Sequence, residues 1–305
     1  MNESTGISVA TTPRMRSTRR PPARVFWRKA PFRDRSGRIS AFKSFTLAAC
    51  IAPAVWLGWA WQAGALSGRP VTTAMLLTGL WAVRFLLLSL AVTPARMLFN
   101  WPRAMLVRRM LGLTAAAYTA AHVVFYIAQQ GFAWSFVGYE IVHVFYLAIG
   151  MVAVVGLALL AATSTDGMLR RLGRRWKMLH RSIYLLAALS FWHFFLTQKI
   201  DVTLAMLPAG LFVWLMLWRA VPIEWQRRLV VLLGISVLAG LLTALGEAGW
   251  YAAYSHVPAA RVLAADLNLS GVVRPGWWVA ADGLLVAAAA IVLRLIAQAR
   301  RPAAG

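Results

Sequence analysis

Cysteine is almost absent: Cys50 is the only one in 305 residues. A single thiol excludes a disulfide within the chain, a CxxCH site for covalent c-type haem and a cysteine-held iron–sulfur cluster. Acidic residues are scarce as well, with nine Asp and Glu against 32 Lys and Arg, for a net charge of +23. Charged residues of either sign make up only 13% of the chain while 60% is hydrophobic, a balance that belongs to integral membrane proteins. No GxGxxG occurs and no soluble stretch is long enough for a nicotinamide domain, so reducing equivalents would have to come from elsewhere. Nucleic-acid binding is excluded on distribution, because the basic residues are spread over five separate segments without a nucleic-acid motif.

What is present is a series of apolar runs. Eight are long enough to read as spans, at 42–62, 71–93, 105–128, 140–162, 179–197, 203–220, 228–248 and 277–297. Counting Lys and Arg on alternate sides puts 27 on one side and 4 on the other, with Arg84 inside the second run. By the positive-inside rule both termini are then cytoplasmic. Residues 1–40 are basic and poor in aliphatic runs, and read as a disordered cytoplasmic tail drawn to anionic lipid. The length of that tail argues against a cleavable signal peptide. The fold class expected is all-α, a polytopic membrane helix bundle.

The histidines carry the chemistry. His180 and His193 stand thirteen residues apart in the stretch 178–195, MLHRSIYLLAALSFWHFF, which at ~1.5 Å per residue separates the rings by about 20 Å along one helix. An unpaired imidazole is costly in hydrocarbon, so each needs a partner. The third run holds Arg108, Arg109 and then His122. It is parallel to the fifth, so His122 and His193 lie at similar depth in the outer half, with Arg109 and His180 level near the cytoplasm. A bis-histidine haem iron between parallel helices would use His122 and His193. Thirteen residues at ~100° each leave a remainder of about 220°, so a straight helix would point His180 and His193 to different faces. Two haems on different sides of that helix, or a π-bulge, both satisfy this. Arg84 reads either as an arginine on a neighbouring carbonyl or as a propionate partner. His143 reads as an interfacial histidine hydrogen-bonded to a loop, and the aromatics flanking 250–276 as an interfacial belt.

Three stretches together, LWAVRFLLLSLAVTP, RRMLGL with His122, and TSTDGMLRRLGRRWKMLHR with SIYLLAALSFWH through His193, resemble the MsrQ (YedZ) family within the ferric-reductase-like transmembrane domains. The resemblance covers about 42–221. It implies a six-span haem core (41–221), and the basic tail (1–40) and the two further spans with a periplasmic loop (222–305) lie outside the family's usual body. It also implies a b-type haem protein of the bacterial inner membrane, with one or two haems held by His122, His193 and His180. Electrons would arrive through a cytoplasmic flavin reductase, with FMN as a second cofactor, or from quinol, and leave to a periplasmic molybdopterin methionine sulfoxide reductase. Arg108 and Arg109 match the family's basic pair. Where the family has Arg-Pro-Tyr, this chain has Val144-Phe145-Tyr146, which implies a different docking at the periplasmic face. The alternatives carried forward are a stand-alone metal-ion reductase and a non-redox assembly or transport protein.

Overall fold

The computed structural model describes residues 39–66, 68–198, 201–268 and 272–299, so the tail reading for 1–40 falls almost wholly outside the described residues. Residues 46–305 form one compact unit, and the unit 1–45 contributes little beyond the start of the first helix to the described residues. In chain order the helices are α1 (Ala41–Gln62), α2 (Pro70–Leu98), α3 (Arg108–Gln129), α4 (Trp134–His143), α5 (Phe145–Ala162), α6 (Asp166–Leu172), α7 (Arg174–Arg181), α8 (Ile183–Thr197), α9 (Thr203–Ala220), α10 (Leu229–Tyr254), α11 (Ala259–Leu267) and α12 (Pro275–Ala299). Seven of them, α1, α2, α3, α5, α9, α10 and α12, are long and apolar enough to cross a membrane. Hydrocarbon offers backbone groups no partner, so long apolar runs close their hydrogen bonds within a helix. Large side chains such as Trp56, Trp59, Leu88 and Val155 are exposed on the helix surfaces, an arrangement suited to lipid rather than water. The protein is a multi-pass membrane helix bundle.

The run predicted as the fifth span differs from expectation. It is divided between α7 and α8 at Ser182, whose hydroxyl donates to the Leu179 carbonyl at 2.6 Å. The 15 residues of α8 cover only about 22 Å at ~1.5 Å each, less than the ~30 Å of a bilayer core. α7 exposes Arg174, Arg175, Lys177 and Arg181, a face that belongs in water or among headgroups. His180 and His193 therefore stand on different helices, and the break at Ser182 takes the place of the single straight or π-bulged helix expected from the spacing. The fourth run is divided in the same way at Val144, whose extended backbone (φ −97°, ψ 111°) separates α4 from α5.

Four helices close a ring: α2 packs on α3, α3 on α5, α5 on α8, and α8 back on α2. α9 packs against α2 and α8 on one side and against α10 and α12 on the other. The α10–α12 contact is made backbone to backbone, since a Cβ on Gly240 would lie 2.7 Å from the Gly276 carbonyl oxygen, a small-residue crossing of the kind membranes favour. At the end of this pair, Glu247 and Asp266 are buried around Arg274, whose Nη2 lies 2.7 Å from Glu247 Oε1 and whose Nε donates to Asp266 Oδ1 at 2.9 Å. Glu247 Oε2 and Asp266 Oδ2 are buried without a hydrogen-bond partner among the described residues, so the cluster depends on its arginine. Removing one partner of a buried ion pair costs about 3–5 kcal/mol. Arg274→Ala is therefore expected to lower the thermal midpoint of the detergent-purified protein by several degrees, measured by scanning fluorimetry. An unchanged midpoint would show that the cluster does not hold the α11 segment.

Candidate cofactor site

Inside the ring of α2, α3, α5 and α8 is a cavity of about 430 Å³, within the range of a cofactor site. His122 on α3 and His193 on α8 face one another across it, with ring centroids 6.3 Å apart and planes at 79°. Each ring is fixed from behind. His122 Nδ1 lies 2.8 Å from the Met75 carbonyl of α2, and His193 Nδ1 lies 2.8 Å from the Tyr146 carbonyl of α5. A carbonyl oxygen can only accept, so both Nδ1 atoms carry the proton and both Nε2 atoms keep a lone pair. This is the tautomer and orientation that a metal-ligating histidine takes from its second shell. A metal–imidazole bond of about 2.0–2.1 Å and about 1.1 Å from nitrogen to ring centre put two trans imidazole centroids roughly 6.3 Å apart. The observed centroid separation matches that spacing. Among the described residues no group of three or more His, Cys, Asp or Glu could hold a metal.

The site is built twice. His122 and its acceptor are 47 residues apart, and so are His193 and its acceptor. Shifting the first set by 71 positions reproduces the second: Met75 and Tyr146, Leu76 and Leu147, Gly79 and Gly150, Ala82 and Ala153, Val83 and Val154, Leu86 and Leu157, Thr119 and Ser190, His122 and His193 all line the cavity. The sequence reading missed this offset, and with it the two glycines and the two carbonyls. An alignment of the chain on itself was the signal that could have found them. It also missed the polar end of the cavity, where Tyr126 OH donates to Glu140 Oε2 at 2.7 Å and Gln130 Nε2 donates to the same oxygen at 3.1 Å.

The other singled-out residues lie elsewhere. His143 is bonded within its own helix, Nδ1 to the Tyr139 carbonyl at 2.8 Å. Arg84 is on the exposed face of α2 with its guanidinium 4.8 Å from the Trp81 ring centre, outside the cavity lining. Arg219 does reach carbonyls, through Nη2 to Leu90 at 2.6 Å and Nη1 to Leu215 at 2.9 Å. Arg109 pairs with Asp166 at 2.8 Å, both groups being about half exposed. Arg108 is half-buried one residue earlier on α3. His180 stacks on Trp176 at 3.8 Å, with Nδ1 3.2 Å from the Trp176 carbonyl and Nε2 3.3 Å from Ser164 Oγ. Burial holds His180 below the usual imidazole value, the positive charges of Arg108 and Arg109 add to this, and the carbonyls of Trp176 and Leu160 oppose it. A folded-state value below the unfolded one means that the unfolded chain takes the proton more readily. The contribution of His180 to stability is then intact above the ordinary value of about 6.5 and is lost as pH falls below it. The thermal midpoint of His180→Gln is expected to fall less than that of the unaltered protein between about pH 7 and about pH 5.5, on either side of that value. Parallel curves would mean that folding does not change the proton affinity of His180.

The profile of the ferric reductase like transmembrane component family matches residues 78–191, which takes in Gly79, His122, Gly150 and His180. No solved structure matches. Among curated relatives, the Rhodospirillum rubrum protein-methionine-sulfoxide reductase heme-binding subunit MsrQ is 41% identical over 198 residues, 64% of this chain and 93% of that one. The subunit of the same name from Caulobacter vibrioides is 37% identical over 182 residues, 59% of this chain and 85% of its own. That from Xanthomonas euvesicatoria is 40% identical over 200 residues, 63% of this chain and 89% of its own. With such identity over nearly the whole length of these relatives, the chain belongs to the MsrQ family of ferric-reductase-like membrane proteins.

Proposed function

We propose that the protein is a transmembrane electron-transfer subunit that holds a b-type haem between His122 and His193 and delivers electrons to a methionine sulfoxide reductase on the periplasmic side. The observation that carries this reading is the pair of opposed imidazoles, 6.3 Å between centroids, each with its Nδ1 on a carbonyl and its Nε2 directed into one cavity. The relatives' name, heme-binding subunit of a methionine sulfoxide reductase, supports both the cofactor and the acceptor. The haem, when bound, supplies a one-electron carrier within the apolar core.

The residues of the chain do the rest. His122 and His193 would hold the haem iron as two neutral imidazole donors whose basicity is raised by their carbonyl bonds. Leu76, Leu147, Val83, Val154 and their neighbours keep water from the macrocycle and so favour the less charged redox state. Gln129, Gln130 and Tyr126 give the cavity a polar end, where the side-chain amides of Gln129 and Gln130 would offer N–H donors to ionised propionates while the Tyr126 hydroxyl stays on Glu140. Orientation follows the charge asymmetry, with the basic loops and both termini in the cytoplasm of a bacterial inner membrane. The basic cluster of Arg108, Arg109, His180 and Arg219 then faces the donor side. There it would attract an anionic electron donor, a flavin reductase or its FMN, or support a second haem at His180.

A stand-alone metal-ion reductase is the second reading, favoured by the ferric reductase like profile. Two measurements separate the outcomes. The membrane-purified protein is expected to yield b-type haem on pyridine extraction, with a low-spin spectrum that His122→Ala and His193→Ala each abolish. Absence of haem under adequate supply, or an unchanged low-spin spectrum in both variants, would overturn the haem assignment. Reduced protein mixed with a periplasmic methionine sulfoxide reductase is expected to reoxidise faster than with chelated ferric iron. The reverse order would favour the metal-ion reductase.

A further inference from the structure

The two glycines that face the histidines have no role in the reading above. A Cβ built on Gly79 would lie 2.8 Å from His122 Nδ1, and one on Gly150 would lie 2.7 Å from His193 Nδ1. Each glycine sits four residues after the carbonyl that its histidine uses, Gly79 after Met75 and Gly150 after Tyr146. The spacing has a physical reason. In a helix the carbonyl of residue i points along the axis toward residue i+4, and the side chains of i and i+4 lie one above the other on the same face. A ring that enters from a neighbouring helix to donate to carbonyl i must pass over residue i+4. Any side chain there stands in its path.

We propose that Gly79 and Gly150 are positioning residues for the two axial histidines: their missing side chains let each imidazole reach the carbonyl one turn back, and so set the ligand strength of both Nε2 atoms. The inference rests on the bis-histidine haem reading. The two glycines stand at the corresponding place in the two halves of the site, which argues that the requirement belongs to the ligand and not to local packing. Other glycines make the contrast. A Cβ on Gly156, on the same helix as Gly150, would strike Leu186 side-chain atoms, and one on Gly112, on the same helix as His122, would meet nothing within 4 Å. Gly156 is thus a packing glycine of the α5–α8 pair, and Gly112 is a neutral one.

Alanine at Gly79 or Gly150 forces the ring off its carbonyl, because ring and carbonyl are already in hydrogen-bond contact and the new methyl needs part of that space. A weaker Nδ1–H···O bond makes the imidazole less basic, so it stabilises ferric iron less and the midpoint potential rises. Loss of an outer-shell partner typically costs about 10–100-fold in metal affinity. The experiment compares Gly79→Ala, Gly150→Ala, Gly156→Ala and Gly112→Ala in the full-length, haem-loaded protein, by potentiometric titration and low-temperature EPR. The expected result is a raised potential and altered low-spin g-values in the first two, with haem retention lowered by about 10–100-fold. Gly156→Ala should lose thermal stability while the haem it retains keeps the original potential and g-values, and Gly112→Ala should change neither. If Gly79→Ala does not accumulate, it is combined with His122→Gly, which removes the ring that the methyl would meet. The double variant should then accumulate as well as His122→Gly alone. Unchanged potentials and g-values in both Gly79→Ala and Gly150→Ala, or a double variant that accumulates less than His122→Gly, would overturn the assignment. If the unaltered protein shows no bis-histidine low-spin signal, the haem reading fails instead, and the two failures are distinct.

Discussion

The structure depends on two hydrogen bonds between helices, from His122 to the Met75 carbonyl and from His193 to the Tyr146 carbonyl, each 2.8 Å long. An imidazole in hydrocarbon must be neutral and must place its one N–H somewhere. Here the N–H goes to a main-chain carbonyl on the adjacent helix, which decides both the tautomer and the direction of the free lone pair. The bond draws α3 toward α2 and α8 toward α5, and it requires a glycine at the point of approach. Helix packing, side-chain protonation and the aim of Nε2 are thus one constraint seen at three levels.

The remainder of the bundle can be understood as support for that constraint. α2, α3, α5 and α8 enclose the cavity with apolar side chains, while α9 joins this ring to α10 and α12 through Trp214, whose indole donates to Ser236 at 3.1 Å. The added helices carry their own polar anchor, Glu247 and Asp266 on Arg274, outside the cavity lining. At helix ends, Arg109 meets Asp166 and Arg219 takes two carbonyls. Among the described residues no charged side chain lines the cavity itself, Glu140 standing behind Tyr126 and Gln130, and the low dielectric there strengthens the hydrogen bonds that aim the rings.

The sequence by itself determined the class and the level of the chemistry. Apolar runs separated by basic loops make a helical membrane bundle because the bilayer leaves the backbone no other way to satisfy its groups. The equal depth of His122 and His193 follows from their place in two parallel runs, with no tertiary information. Long-range packing was not legible there. Nothing local says that Ser182 and Val144 end helices within apolar runs. Nor does a glycine announce that an imidazole from another helix lies over it: Gly79 and Gly112 are alike in sequence, yet only the first has a ring within reach. The tertiary structure decided which histidines meet, which carbonyls receive them and that Arg84 turns away from the cavity, because these are contacts between residues tens of positions apart whose partners only the packing of helices brings together.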